Sequence, residues 1–232
     1  MAWTNEMDAT LVARSSRPNG PVLIVPTASA PEGDAAFDRW GKLGLDHFKH
    51  LGISASVLAV KSKADANNQS LMESIQEASL VYFSGGNPAY LAETLRDSYL
   101  WSILKQEVAA GMSLAGSSAG INYLGAIAFD SSLARFDSSV FKPGLYYIQD
   151  TVLCPHWDTI DRFIPGASKF ILDTLSPKYQ IITVDEDTAL LGNEAGYTVV
   201  GEGEVNIHSN GQSRKYEPGN NLSIDGFGGP TH

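Results

Sequence analysis

The sequence predicts an α/β fold: a mostly parallel sheet with helices on both faces, and a β-rich C-terminal end. Two observations predict it. Short apolar runs alternate with helical patterns up to Leu191, and such runs are typical of strands that are buried on both faces of a parallel sheet. From Tyr197 to Ile224 the chain alternates among many glycines, which favours small antiparallel strands. We therefore expect one domain over residues 1–232, with a loosely ordered lead-in over 1–20.

Each predicted element rests on a local pattern. The first strand is an apolar run over 22–25 that ends at Pro26, and a helical spacing of apolar residues follows over 35–51 until Gly52 ends it. The remaining elements are predicted, in order, as a strand over 53–60, a helix over 71–78, a strand over 80–83, helices over 90–95 and 100–110, strands over 112–115 and 146–153, a helix over 170–175, and strands over 180–184 and 189–191.

The composition is acidic and excludes several classes of protein. The formal net charge is −10, with 16 Lys and Arg against 26 Asp and Glu, which argues against a nucleic acid partner because phosphate binding relies on clustered basic residues. Cys154 is the one cysteine, so a disulfide framework within the chain is excluded. No apolar run approaches the roughly 20 residues that cross a bilayer, and the first residues lack the pattern of a secretory signal. We expect a cytoplasmic protein without a cofactor or a metal.

The most informative motif follows the strand predicted over 112–115. The segment 116–120 reads GSSAG and matches the G-x-S-x-G pattern of a nucleophile elbow, a tight turn between a strand and a helix that projects a serine outward. Ser118 is the centre of the pattern and our candidate nucleophile, whereas Ser117 would point elsewhere. The backbone N–H of Ala119 is placed to face a developing oxyanion. A turn of small residues without catalysis is the alternative interpretation.

A glycine-rich loop follows the strand predicted over 80–83. Gly85 and Gly86 let the backbone approach a ligand closely, and their N–H groups offer a second donor to an oxyanion. With Asn87 they form a candidate substrate-binding loop. Alone, this segment would be interpreted as an ordinary turn. It gains weight because it and the Ser118 elbow both follow strands of the sheet, where α/β proteins place their sites.

A serine nucleophile needs a general base, and histidine is the usual one. Of the 5 histidines, His156 alone follows a strand in the same direction as the elbow. His47 and His50 fit a solvated helix surface better. Cys154 precedes His156 by two residues, and we interpret it as packing rather than as a reactive thiol. His156 is therefore the candidate base.

The candidate base also needs a carboxylate to orient it. Asp185, Glu186 and Asp187 directly follow a buried strand, where buried carboxylates require partners. Asp130 and Asp137, downstream of the elbow, are rival candidates, and the residue types alone leave the choice open.

Metal binding is a weak alternative at the same histidine. His156, Asp158 and Asp161 lie close together in the sequence, but two carboxylates on one turn are poor evidence for a metal site. The motifs of phosphate-binding loops and of zinc peptidases are absent from the sequence. We therefore predict no metal site.

Together these segments resemble the peptidase E and cyanophycinase family of serine peptidases, over roughly residues 20–225. The fold that this resemblance implies is like that of the class I glutamine amidotransferases, with a serine in place of their elbow cysteine. The resemblance rests on segments in the same order and spacing: YFSGGNPAYL at 82–91, LAGSSAGIN at 114–122, CPHWDTIDRF at 154–163 and VDEDTALL at 184–191.

The resemblance also implies a role for individual residues. Ser118 would be the nucleophile, His156 the base and Glu186 the acid that orients it. Gly86 and Ala119 would supply the N–H groups of the oxyanion hole. A Ser-His-Glu triad is therefore expected, acting through an acyl-enzyme.

One departure from the family concerns substrate recognition. Family members that prefer an acidic N-terminal residue use arginines beyond the catalytic histidine, whereas Arg162 is the only arginine in the segment 156–170. We assign Arg162 to substrate binding and expect a weakened preference for acidic residues.

The predicted function is hydrolysis of short peptides by a dipeptidase or exopeptidase of the peptidase E type. An esterase-like α/β-hydrolase, with Asp130 or Asp137 as the acid, is one alternative. A catalytically idle domain of the same fold that binds a ligand is the other. As partners we expect a short peptide and allow for a homodimer, and we expect neither nucleic acid nor a membrane.

Overall fold

The computed structural model describes residues 2–133, 136–193 and 195–224. A boundary between Ile121 and Asn122 divides the chain into two compact units. The first unit holds a parallel sheet, and the second holds mostly antiparallel strands, so the predicted α/β fold with a β-rich C-terminal end is confirmed. That the two units make up one domain stays a prediction.

The strands of the first unit are β1 (Val22–Val25), β2 (Ala55–Val57), β3 (Leu80–Phe83) and β4 (Ser113–Gly116). They form a parallel sheet in the order β2-β1-β3-β4. Val22 lies opposite both Ala55 and Leu80, and Phe83 lies opposite Gly116. Because the strands are parallel and in register, the loops that follow β3 and β4 begin side by side.

Helices flank this sheet. Helices α1 to α6 are, in order, Ala2–Arg14, Asp34–His50, Gln69–Met72, Pro88–Leu95, Tyr99–Ala109 and Ala119–Asn122. On one face of the sheet, Val22 and Ile24 pack with Val12 of α1 and Phe48 of α2 in an apolar cluster. Side chains alternate along a strand, so Leu23 points to the other face, where it is buried as well. Both faces of the sheet are therefore covered.

The first residues differ from the loosely ordered lead-in expected over 1–20, because they form helix α1. Its contact with the sheet includes a hydrogen bond from the Ser113 hydroxyl to the carbonyl oxygen of Leu11. The buried carboxylate of Asp8 lies 2.7 Å from Nε2 of His47 on α2. The spacing of apolar residues does not predict this helix, because the polar pair of Asp8 and His47 contributes to its contact with α2. His47 is accordingly part of a helix–helix contact rather than of a solvated surface.

The second unit contains strands β5 (Ile127–Phe129), β6 (Phe141–Pro143), β7 (Thr151–Cys154), β8 (Gln180–Val184), β9 (Thr188–Asn193), β10 (Gly196–Gly201), β11 (Val205–Ser209), β12 (Gln212–Tyr216) and β13 (Asn221–Leu222), and helices α7 (Ile160–Phe163) and α8 (Ala167–Leu175). Strands β7 and β8 are parallel, and Cys154 lies opposite Thr183. The loops after β7 and β8 therefore begin next to each other. The remaining pairs, including β8 with β11, β9 with β10 and β5 with β6, are antiparallel.

Several elements of this unit differ from the sequence prediction. Helix α7 was not predicted, α8 begins at Ala167 rather than at residue 170, and β9 spans Thr188–Asn193 rather than 189–191. Strand β7 begins at Thr151 rather than at residue 146, because Tyr146 and Asp150 adopt φ angles of 54° and 49°, which no extended strand contains. The pair of β5 and β6 was not predicted, since three-residue strands carry no readable periodicity. Within the ranges described above, no helix is long and apolar enough to span a membrane.

Candidate active site

The elbow of the first unit has the backbone that its sequence pattern predicts. Strand β4 ends at Gly116, helix α6 begins at Ala119, and Ser118 between them has a φ of 55°, a conformation that few non-glycine residues adopt. A Cβ on Gly116 would lie 2.0 Å from the carbonyl oxygen of Gly120, and one on Gly120 would lie 2.1 Å from that of Phe83. Both glycines of the motif are therefore required by close backbone contacts.

The two serines of the elbow differ in their surroundings. The N–H of Ser117 donates to the carbonyl oxygen of Phe83 at 3.0 Å, and its side chain faces the Tyr82 side chain. Burial raises the pKa of Tyr82, and its ring packs edge-on against Phe48 with the centroids 6.3 Å apart. Ser117 is thus held by the apolar layer beside the sheet. Both serines are partly exposed, and Ser118 is the one with the positive φ.

The glycine-rich loop after β3 passes next to Ser118. A Cβ placed on Gly85 would lie 3.5 Å from the Cβ of Ser118 and 3.4 Å from the Trp40 ring. Gly86 has a φ of 138°, and a Cβ there would lie only 2.3 Å from the carbonyl carbon and oxygen of Ala28. This crowding explains why the loop contains glycine at position 86.

Asn87 fixes the end of the same loop. Its N–H donates to Ala28 at 2.7 Å, and its side-chain oxygen accepts from the N–H groups of Ala89 and Tyr90, which caps helix α4. Pro88 occupies the first helical position, where its missing N–H costs nothing. Asn87 therefore shapes the loop, and its predicted role in substrate binding stays a prediction.

The oxyanion donors that the sequence predicts have no carbonyl acceptor within the described residues. The N–H of Gly120 donates to Ser117 at 2.8 Å and that of Ile121 to Ser118 at 3.1 Å, which closes the first turn of α6. The N–H groups of Gly86 and Ala119 form no comparable bond in the part of the chain that the structure describes. Ala119 is the first residue of α6 and Gly86 lies in the loop after β3, so the described residues leave both N–H groups without a backbone acceptor.

In the second unit, His156 and Glu186 lie together although 30 positions separate them. Nδ1 of His156 lies 3.2 Å from Oε1 of Glu186, and the two side chains are 45% and 44% exposed. Because a carboxylate only accepts hydrogen bonds, this contact assigns the proton to Nδ1 and leaves Nε2 as the basic nitrogen. The pair has the arrangement of a general base and the acid that orients it.

The backbone around His156 is held tightly. His156 follows β7 with a φ of 59°, and its carbonyl oxygen accepts both the N–H of Thr159 at 3.1 Å and the Thr159 hydroxyl at 3.2 Å. The N–H of Trp157 donates to Val184 at the end of β8, at 3.1 Å. The loops after β7 and β8 are thereby joined directly.

The other candidate acids have different partners. The carboxylate of Asp185 accepts the N–H of Glu204 at 3.0 Å, and burial raises its pKa. Asp187 is exposed, with a φ of 53°. Asp130 accepts from the N–H and hydroxyl of Ser132, and Asp137 accepts in the same way from Ser139. Glu186 is the acid that contacts His156.

Arg162 and Cys154 lie on either side of His156 in the sequence but differ in exposure. Arg162 is exposed on α7, and its guanidinium forms no ion pair with a described residue. Cys154 is fully buried in a cluster with Ile171 and Ile181, and burial raises the pKa of its thiol. A buried thiol with a raised pKa is inert, which agrees with a packing role.

Sequence reasoning missed the contact of Asp158. Its side-chain oxygen accepts the N–H of Glu186 at 2.8 Å, whereas the sequence suggested only a weak metal ligand there. The carboxylate of Asp161 accepts instead from the N–H and hydroxyl of Ser168. The available signal was an acid two residues after the candidate base, but its partner could be known only from the structure.

Comparison with known proteins gives the family. The model of peptidase family S51 matches residues 2–200. A cyanophycinase from Synechococcus elongatus is 26% identical over 205 residues, which cover 85% of this chain and 61% of its own length. A cyanophycinase from Geminocystis herdmanii is 27% identical over 206 residues, covering 84% of this chain and 71% of its own. The match thus spans about three fifths of the length of the Synechococcus relative.

Solved structures agree with this assignment. The crystal structure of a peptidase from an acI-B1 actinobacterium superposes with a TM-score of 0.83 at 30% identity, covering 96% of this chain and 92% of that one. A putative peptidase E protein from Listeria monocytogenes EGD-e has a TM-score of 0.54 at 17% identity and covers 92% and 94%, which supports the fold alone. The resemblance inferred from the motifs is confirmed: the chain belongs to peptidase family S51, a family of serine peptidases.

Proposed function

We propose that the protein hydrolyses short peptides, as a dipeptidase or exopeptidase of the peptidase E type, with Ser118 as nucleophile, His156 as base and Glu186 as the acid that orients His156. The observation that carries the proposal is the φ of 55° at Ser118, between two glycines that close backbone contacts require. Strained backbone at a residue of this chemistry is typical of functional sites. Membership of family S51 supports the reaction class.

In the acylation half of the proposed reaction, Oγ of Ser118 attacks the carbonyl carbon of the scissile peptide bond. Nε2 of His156 takes the hydroxyl proton, and the resulting imidazolium then gives it to the leaving amine as the C–N bond breaks. The products of this half are an ester between Ser118 and the acyl part of the substrate, and a free amine.

In the deacylation half, water attacks the same carbonyl carbon while Nε2 of His156 takes a proton from it. The carboxylic acid leaves as the proton returns to Oγ of Ser118, which restores the free enzyme. Both halves pass through a tetrahedral intermediate with a negative oxygen. The N–H groups of Gly86 and Ala119 are the proposed donors to that oxygen, and one such donor typically lowers the barrier by about 3 kcal/mol.

Glu186 has an electrostatic role in this scheme. Its carboxylate fixes the tautomer of His156 through Nδ1 and stabilises the imidazolium that forms during both halves of the reaction. It does not itself accept the proton. Gly85 lies in ordinary van der Waals reach of the Ser118 side chain, and we assign it, with Asn87, to the surface that a peptide backbone contacts.

The proposed substrate class follows from the size and charge of the available groups. Arg162 is the proposed partner of a substrate carboxylate, because Lys169, the next basic residue, is paired with Asp173 one helical turn further on. One exposed guanidinium is a weak basis for a strong acidic preference, since its charge is screened by solvent. Short peptides of mixed sequence are therefore the proposed substrates.

A fluorophosphonate probe tests the nucleophile. We expect the wild-type protein to be labelled at Ser118, and Ser118→Ala to abolish labelling and lower kcat on short peptides by about 10⁴-fold or more. Ser117→Ala is the matched control, since it removes a neighbouring hydroxyl that faces Tyr82. Folding of each variant is checked by thermal unfolding. Retention of peptide hydrolysis by a folded Ser118→Ala variant would refute the proposal.

A further inference from the structure

The loops that carry His156 and Glu186 are joined by a second set of hydrogen bonds, outside the proposed triad. The side-chain oxygen of Asp158 accepts the backbone N–H of Glu186 at 2.8 Å. One position away, the N–H of Trp157 donates to the carbonyl oxygen of Val184 at 3.1 Å. Asp158, two residues after the proposed base His156, thus accepts a hydrogen bond from the backbone of Glu186, the proposed orienting acid.

The loop that carries Glu186 has further hydrogen bonds of its own. The carboxylate of Asp185 accepts the N–H of Glu204 at 3.0 Å. Thr188 continues the arrangement, since its hydroxyl donates to the carbonyl oxygen of Glu186 at 3.0 Å and accepts the N–H of Gly203 at 2.9 Å.

We propose that Asp158 is a positioning residue, which holds the backbone of Glu186 so that its carboxylate meets Nδ1 of His156. The inference rests on the proposed function, because it assigns Asp158 a role through Glu186. Asp158 touches no reacting atom in this scheme.

The exposure of the pair is the physical reason for such support. The side chains of His156 and Glu186 are nearly half exposed, so packing does not hold them in place. An exposed contact between polar side chains contributes little stabilising free energy by itself. The 3.2 Å contact is also close to the upper limit of a hydrogen bond. A small shift of the Glu186 backbone would break it, and a misplacement of about 1 Å in a catalytic group can lower the rate by about 10²-fold.

Paired substitutions at Asp158 test the inference by kcat and KM on a short peptide. We expect Asp158→Ala to lower kcat by about 10- to 100-fold with little change in KM, because it alters the base and not the binding of substrate. Asp158→Asn keeps an oxygen acceptor for the N–H of Glu186, so we expect its kcat to be at least about tenfold higher than that of Asp158→Ala. Asp187→Asn is the charge control, since it removes an exposed carboxylate next to Glu186.

A double-mutant cycle separates positioning from a general effect on folding. If Asp158 acts through Glu186, then Asp158→Ala should lower kcat by less than about threefold in a Glu186→Gln background. If the kcat losses of Asp158→Ala and Glu186→Gln multiply in the double variant, the inference is overturned. It is also overturned if Asp158→Asn is as slow as Asp158→Ala. Normal kcat in Asp158→Ala with a large loss in Glu186→Gln would overturn it while the proposed triad stands. Normal kcat in Glu186→Gln would overturn both.

Discussion

Oε1 of Glu186 lies 3.2 Å from Nδ1 of His156, and the backbone of Glu186 is held by Asp158 from the loop that also carries His156. The two loops follow neighbouring parallel strands whose ends are in register at Cys154 and Thr183. The pairing of a base with an acid 30 positions later is therefore a product of the register of β7 and β8.

Substitution of the orienting acid is the most direct test of this pair. Glu186→Gln keeps the shape of the side chain, but its amide can favour the wrong tautomer of His156, so we expect kcat to fall by roughly 10²- to 10⁴-fold. Steady-state kinetics on a short peptide measure the loss. Asp130→Asn serves as the control, because its carboxylate accepts from Ser132. A larger loss at Asp130 than at Glu186 would contradict the assignment.

The adjacent glycines of the loop after β3 should respond differently to alanine. Gly86→Ala places a Cβ 2.3 Å from the Ala28 backbone at a φ of 138°, so we expect it to destabilise the protein by at least about 2 kcal/mol. Gly85→Ala meets Trp40 and Ser118 only at contact distance, so its stability should change little. Its methyl group lies beside Ser118, the proposed nucleophile, however, and should lower kcat/KM by about tenfold. Thermal unfolding and kinetics separate the two effects, and equal stability of both variants would contradict the prediction.

The Asp8 carboxyl, which is buried at the contact of α1 and α2, should make stability depend on pH. Burial raises the pKa of Asp8, although the hydrogen bond and charge of His47 oppose the shift. A carboxyl whose pKa is raised by folding stabilises the fold at low pH, and this contribution is lost as the pH rises through the raised pKa. Asp8→Asn lacks this dependence. The free energy of unfolding of the variant, relative to wild type, should therefore increase between about pH 4 and pH 7.

Urea unfolding at several pH values measures this difference. Asp46→Asn is a matched control, because Asp46 is an exposed acid on α2 that pairs with Lys42. Its difference from wild type should stay nearly constant over the same range. A relative stability of Asp8→Asn that decreases as the pH rises would show that the charged carboxylate is favoured in the folded protein, against the prediction.

Substrate preference tests the role of Arg162. We expect dipeptides with an N-terminal aspartate to be preferred over neutral ones by no more than about tenfold in kcat/KM, a difference of roughly 1.4 kcal/mol. The net charge of −10 also disfavours an anionic substrate. Asp-Leu, Asn-Leu and Ala-Leu form the test series, with Arg162→Ala alongside. A hundredfold preference for Asp-Leu that disappears in Arg162→Ala would show that one arginine is sufficient.

The sequence was sufficient where a pattern is local. The runs VLIV and LVYF predict β1 and β3 to the residue, because a strand buried on both faces must be apolar throughout. The elbow could be predicted because its motif is contiguous in the sequence. Gly116 packs against the Gly120 backbone within the turn, whereas Gly120 is required by Phe83 on the neighbouring strand β3.

The sequence was insufficient where a helix or a contact depends on residues that are far apart in the chain. Helix α1 depends on a pair between Asp8 and His47, and the role of Asp158 depends on the register of two strands; neither leaves a periodic trace in the sequence. The choice between Ser117 and Ser118 rests on the centre of a motif and stays a prediction. That the Ser117 side chain faces Tyr82 could be known only from the packed sheet.

The position of Tyr82, which faces Ser117, matters for engineering the protein. Tyr82 joins the elbow to the apolar layer between the sheet and helices α1 and α2, where it meets Phe48. A substitution chosen to improve packing in that layer would therefore also reach the residue next to Ser118, the proposed nucleophile. Thermostable variants selected at Phe48 should be screened for turnover as well as for melting temperature, because Tyr82 contacts both the packing layer and the elbow.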